Sequence, residues 1–281
     1  MVNAALRFGV AVHGIVAFVA LPRTLWAQDA ILLRLSPRAG DTIHTWLTQQ
    51  LEVSAATPGG LASPSRSVTT TMAIFSRTIV RSVQAASTTV LTIVDSARVS
   101  STDARAAAQS AATQKALRGQ QLVMQLGADG MVEQANDSRG ISMPRNAAQA
   151  MAAMPAVFPR TPVKVGDQWT REMALPSSGP LGGGGAGHAR AVFHLDSIRK
   201  GGAVAFVSMK GEIHPDSSSQ GMEMSGTISG TMQLDRARGW MTDSRFVVLL
   251  KSLLKPSMET GMMPMQFITR VTQRLQTMDK R

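Results

Sequence analysis

The 281-residue sequence contains no cysteine and no tyrosine, and only 4% of it is aromatic. Without cysteine there is no disulfide framework, thiolate zinc site, iron–sulfur ligation or cysteine nucleophile, and no thiol to carry a lipid. Charged residues are also scarce, at 17%, while 44% of the chain is hydrophobic, which excludes a wholly disordered protein. Beyond the N-terminus no stretch approaches the roughly 20 uninterrupted apolar residues of a membrane-spanning helix. What remains is a chain long enough to bury one large all-β domain or two smaller ones without metal or covalent staples.

Residues 1–27 have the three-part layout of a secretory signal peptide. Arg7 lies near the start, an apolar stretch runs from Phe8 to Leu21, and Pro22 and Arg23 precede a cleavage site after Ala27. The expected protein is therefore exported, periplasmic or secreted, with no transmembrane span once processed. The full chain carries a formal charge of +11, and removal of residues 1–27 takes away two arginines and no acid, so the mature protein stays basic. Its cations, among them Arg34, Arg38, Arg66, Arg77, Arg81, Arg98, Arg105 and Arg118, are scattered singly with few aromatics between them, so nucleic acid is not an expected partner.

The dominant period in the mature chain is two. Met222, Met224, Gly226, Ile228, Gly230, Met232 and Leu234 alternate with Glu223, Ser225, Thr227, Ser229, Thr231 and Gln233, as expected of a strand with one buried and one wet face. Looser alternation occurs over 43–53, 68–83, 88–99, 191–198, 203–213, 240–250 and 265–275. Long strands with one apolar face predict an antiparallel sheet. Two helices are expected against it, over 102–118 and from Ser142 to Pro155, with loops at 57–66 and 176–187. The fold class is thus mainly β with two helices, a large curved antiparallel sheet or half-barrel.

Order repeats along the chain. Gly40-Asp41 and Gly166-Asp167 each open a strand; a tight turn follows in each case, near 84–87 and near 199–202; then Met124-Gln125-Leu126 returns as Met232-Gln233-Leu234 before a glycine turn. This suggests a duplication, with a first half over 28–156 and a second over 157–281, forming two similar sheets or one long one. Around Val165-Gly166-Asp167-Gln168-Trp169 the chain resembles uncharacterised exported bacterial β-rich proteins in which a glycine-aspartate-aromatic turn starts each repeat. More distantly it is similar to envelope lipoprotein carriers, which implies a curved antiparallel sheet closed over by helices. Thr42 in place of Gln168, and Trp46 four residues further on, make the first copy of the turn imperfect.

Catalytic chemistry finds little support. His44, His188, His194 and His214 form no metal-binding motif, so no metal and no cofactor are expected. His194 and Asp196 share a strand face, and Glu212, His214 and Asp216 cluster before and after Pro215, but a solvated face and a turn account for both. Gly226 to Gly230 lies within a strand and makes no nucleophile elbow, and the glycine run 182–185 lacks the Lys-Ser/Thr of a phosphate loop. Methionine is the abundant residue, 18 in all. Flexible thioethers suit either a core poor in aromatics or an adaptable ligand lining. The expected function is a non-enzymatic envelope protein holding a hydrophobic or lipid-like ligand in a curved apolar cavity lined by Met209, Met222, Met224, Ile228 and Met232. The alternative is a structural or interaction module of the cell envelope that binds another protein.

Overall fold

A computed structural model describes residues 30–56, 66–141, 157–175, 178–179, 182–183, 187–215, 222–254 and 265–278. In chain order the elements are β1 (Thr42–Ala56), β2 (Arg66–Val83), β3 (Ser87–Ser101), α1 (Ala104–Leu117), β4 (Gln121–Gly127), β5 (Val132–Asp137), β6 (Gln168–Leu175), β7 (Ser178–Gly179), β8 (Gly182–Gly183), β9 (Gly187–Arg199), β10 (Val204–Pro215), β11 (Met222–Asp235), β12 (Trp240–Leu254) and β13 (Met265–Met278). Apart from the small β7–β8 ladder, the strands form one sheet of eleven, in the order β5-β4-β3-β2-β1-β13-β12-β11-β10-β9-β6. Every pairing is antiparallel. The chain meanders from neighbour to neighbour, the first and last long strands pair at the centre, and the interruption falls between β5 and β6. The two halves of the sequence therefore share one sheet.

The sheet curls until its two ends are tied together, although they do not pair. Ile31, ahead of β1, bridges to Val163, ahead of β6; Leu35 N–H donates to Ala128 O between β4 and β5, at 2.8 Å; and Ser36 N–H donates to Gly239 O between β11 and β12, at 2.9 Å. Residues 31–37 thus form a strap across one end of the curl, with Leu33 and Leu35 buried beneath it. A second tie joins the edges directly. The backbone N–H groups of Val157 and Phe158 donate to Asp129 O, Trp169 Nε1 donates to Val157 O at 2.7 Å, and the Arg171 guanidinium reaches both Phe158 O and, at 3.3 Å, the Asp129 carboxylate.

Alternation then fixes what lies inside. Met224 and Met232 are buried and Gly226, Ile228 and Gly230 half-buried, whereas Ser225, Thr227, Ser229 and Thr231 are exposed. The larger core cluster lies under the strap and takes in Leu33, Leu126, Phe158, Phe193, Met209, Met232 and Phe246. A smaller one, of Ala189, Ile213, Met224, Val248, Leu250 and Val271, continues along the strands. In-strand glycines let the second half bend this tightly: a Cβ on Gly230 would lie 2.4 Å from Arg245 O and 2.5 Å from the Phe246 ring. The aromatic ring occupies the space that the glycine leaves.

The helix forms where the sequence places it. Asp103 caps it, accepting from the N–H groups of Arg105 and Ala106, and Gly119 leaves it with φ +78°. Gln114 ties it to β3 through Val99 O at 2.9 Å. It is the one helix among the described residues; the helix expected over 142–155 falls on residues outside the description, as do residues 1–27, most of the loop 57–66 and much of 176–187.

The two Gly-Asp turns are built alike. Asp41 Oδ2 accepts from Arg38 N–H at 3.0 Å and Asp167 Oδ2 from Lys164 N–H at 2.8 Å. Gly40 N–H donates to Val80 O and Gly166 N–H to Leu195 O, both at 2.9 Å; Val80 N–H returns to Asp41 O and Leu195 N–H to Asp167 O. Both glycines have positive φ, +87° and +98°, a conformation that costs a side-chain-bearing residue free energy.

Candidate ligand-binding lining

The register brings the inner residues of β9, β10 and β11 into one apolar surface. Ala189, Ala191, Phe193 and Leu195 line β9; Ala205, Val207, Met209, Gly211 and Ile213 line β10; Met224, Gly226, Ile228, Gly230, Met232 and Leu234 line β11. Not one of these side chains is polar. Phe193 and Trp169 stack with centroids 5.7 Å apart, extending the surface onto β6.

The five residues singled out from the sequence do not form one group. Met209 and Met232, each 2% exposed, belong to the cluster under the strap, while Met224 belongs to the second cluster. Ile228 packs against both and is only half-buried. Met222 begins β11, and its side chain lies outside the description, as does the methionine-rich stretch 258–264. Met209 and Met232 are therefore closed core, and the surface between the clusters centres on Ile228, in a cross-strand row that runs through Val248 and Val271 to half-buried Leu51.

The histidines lie elsewhere. His194 Nδ1 is 2.6 Å from Asp196 Oδ1, and Ser208 Oγ donates to the same carboxylate oxygen at 2.8 Å. Both neighbours use the one oxygen, so the serine is not aligned to pass its proton to the imidazole, and the trio lacks a nucleophile–base pair. His188 and His214 face one another on β9 and β10 with centroids 5.8 Å apart, and His214 Nε2 is 3.6 Å from Glu212. His44 stacks on Phe75 on the other half of the outer face. Among the described residues no group of three or more histidines and carboxylates is arranged to hold a metal, and no helix is long and apolar enough to cross a membrane.

Two features that decide the shape of this lining escaped the sequence. The Asp129–Arg171 tie joins residues 42 positions apart, and the sequence around Asp129 shows only the local bond of a turn, from Met131 N–H to its Oδ1. The strap reads as Leu-Leu-Arg-Leu, too short to separate from a strand start, and only its alternation of buried Leu33 and Leu35 with exposed Leu32 and Arg34 carries a signal.

Comparison with known proteins yields a match over part of the chain and no activity. A family of unknown function (DUF6263) matches residues 144–241, from ahead of β6 to the start of β12. No curated protein matches the chain. Among solved structures, the chain is similar to DynF from the dynemicin biosynthesis pathway of Micromonospora chersina, at 9% identity and a TM-score of 0.24, over 97% of this chain and 94% of that one. It is similar too to an outer membrane channel from Pseudomonas putida F1, at 10% identity and a TM-score of 0.23, over 86% of this chain and 97% of that one.

Proposed function

We propose that this is an exported, non-enzymatic envelope protein that holds a hydrophobic or lipid-like ligand against the inner face of its curled sheet. The observation that carries the reading is the lining of β9–β11, which has no polar side chain and whose residue between the two core clusters, Ile228, is only half-buried. An antiparallel sheet that curls without closing leaves an interior that side chains need not fill completely. A solvated outer face and an apolar inner one fit the secretory pattern of residues 1–27, because such a protein would travel through water while shielding its ligand. The same reading takes the halves as copies of one unit, supported by the identical hydrogen bonding of the turns at Gly40-Asp41 and Gly166-Asp167.

The test is binding of a neutral naphthylamine probe to the full chain, with mass spectrometry of what copurifies. Saturable fluorescence enhancement is expected, lost in Ile228→Trp, where the indole fills the space between the clusters, with the thermal midpoint and strand content kept. Absence of saturable binding to the unsubstituted chain overturns the reading, and a stoichiometric protein in place of an apolar small molecule favours an interaction module.

A further inference from the structure

On the outer face of the same strands lies a cleft of about 550 Å³. Arg190 and Val192 of β9, Lys210, Glu212 and His214 of β10, and Thr227 and Ser229 of β11 surround it, with Gly211 and Ile228 between them. We propose that it binds a phosphate ester, with Arg190 and Lys210 taking the phosphoryl oxygens and the hydroxyls of Thr227 and Ser229 completing the donors. This goes beyond the apolar lining, which faces the opposite way.

The argument begins with register. Arg190 stands opposite Glu212 and Val192 opposite Lys210; Glu212 in turn stands opposite Thr227 and Lys210 opposite Ser229. Arg190 and Lys210 are therefore diagonal neighbours on adjacent strands, a spacing at which long side chains converge on one group. Neither has a hydrogen-bond or ion-pair partner among the described residues, although elsewhere on the sheet Arg77 holds Asp95 at 2.8 Å and Arg274 holds Asp243 at 3.3 Å. Two carboxylates stand opposite Arg190 on the flanking strands, Glu212 on β10 and Glu172 on β6, and neither forms an ion pair with it; the Glu212 side chain is 77% exposed and its carboxylate lies 3.6 Å from His214 Nε2. The cleft thus offers two uncommitted cations and two hydroxyls, a donor set that suits the oxygens of a phosphoryl group. Exposed Val192 and the remaining volume accommodate the organic part of an ester.

The experiment is calorimetric titration of the full chain with glycerol 3-phosphate and with inorganic phosphate, beside cosedimentation with vesicles of phosphatidylglycerol in phosphatidylcholine. Saturable binding is expected, weakened about tenfold or more in Arg190→Ala/Lys210→Ala and strengthened in Glu212→Gln. Arg245→Ala, an exposed outer-face change outside the cleft, should leave it unaltered. None of these side chains contributes to the core, and circular dichroism confirms the fold. Binding of glycerol 3-phosphate identifies a soluble ester, and binding of the vesicles alone, still dependent on Arg190 and Lys210, identifies a lipid headgroup. Failure of all probes, or an equal loss in Arg245→Ala, overturns the proposal. The two readings fail separately, because the naphthylamine result is decided on the unsubstituted chain and the phosphate result on Arg190→Ala/Lys210→Ala, which removes no inner-face side chain.

Discussion

The inner lining changes chemistry half-way round the sheet. From β9 to β11 it is apolar and punctuated by glycine. Over β1, β2 and β3 it carries hydroxyls in pairs, with Thr45 Oγ1 2.8 Å from Ser76 Oγ, Thr78 Oγ1 2.9 Å from Thr92 Oγ1, and Thr70 Oγ1 3.2 Å from Ser101 Oγ. Thr45, Ser76 and Thr78 are buried. A buried hydroxyl is tolerable only with a partner, and cross-strand register supplies one, since Thr45 stands opposite Ser76 and Thr78 opposite Thr92. The first half thus sets mutually satisfied hydroxyl pairs among its apolar core residues, Leu47, Val80 and Val90 among them. The second removes side chains at Gly211, Gly226 and Gly230 and lets Ile228, Leu250 and Phe246 lie over the gaps. One curl is thus packed in two ways, by paired hydroxyls on one side and by glycines beneath large apolar side chains on the other.

That contrast predicts where each half is vulnerable. Gly230→Val should have the largest effect, about 3 kcal/mol at the upper end of the overpacking range, because its side chain would meet Arg245 O and the Phe246 ring. Chemical denaturation measures it, and a loss under about 1 kcal/mol would show that the close approach is not needed for the curl. The tie between the halves comes next. Arg171→Met leaves Asp129 without its cation in a place where both side chains are under a fifth exposed, and should cost about 2 kcal/mol. Its effect should show as faster amide exchange of Val157 and Phe158, whose N–H groups depend on Asp129 O. Smaller again, Ser76→Ala should cost about 1 kcal/mol by stranding the Thr45 hydroxyl, and adding Thr45→Val should recover most of that loss. A double-mutant cycle without coupling would mean that the two hydroxyls do not satisfy each other.

The strands were legible because alternation is a local property. From Met224 to Leu234 each residue's face follows from its neighbours, and buried Met224 and Met232 alternate with exposed Ser225 and Thr231 as that pattern requires. The cap of the helix was legible for the same reason, since Asp103 bonds N–H groups two and three residues on. The curl was not. Whether Met224 shares a cluster with Met209 depends on the register of β10 on β11, which sets Met209 opposite Gly230 and leaves Met224 beyond the Ile213–Gly226 pair, and on what the strap covers; neither is visible in the alternation of one strand. Sequence reading therefore placed Met209, Met224, Ile228 and Met232 on one face and could not separate the sealed part of that face from the part around Ile228. The outer cleft was hidden for a related reason: Arg190, Lys210 and Thr227 look like scattered surface residues until register sets them side by side.

The smallest predicted effect concerns the free edge of the first half, where β5 ends. Asp137 holds the turn that follows: its carboxylate accepts from the Arg139 side chain at 2.6 Å and 2.9 Å and from the N–H groups of Arg139 and Ile141 at 2.9 Å and 3.0 Å. The hydrogen bond from the Arg139 side chain first, and then that from the Ile141 N–H, hold its pKa below the usual 3.8 against an opposing effect of desolvation, with the Arg139 N–H and charge adding to them. A carboxyl whose pKa is lowered by folding adds stability above its unfolded pKa and loses it as pH falls through the lower, folded value. The turn at 137–141 should accordingly stay closed through the neutral and mildly acidic range and open only below pH 3.8, with Gly140 and Ile141 amide exchange rising there while β9–β11 amides are unaffected by this group. Asp137→Asn should remove the acid-dependent step and leave the second half's protection as it was. An opening that began well above pH 4, or one that spread at once to the β9–β11 lining, would show that the edges of the two halves are coupled through more than the strap and the Asp129–Arg171 tie.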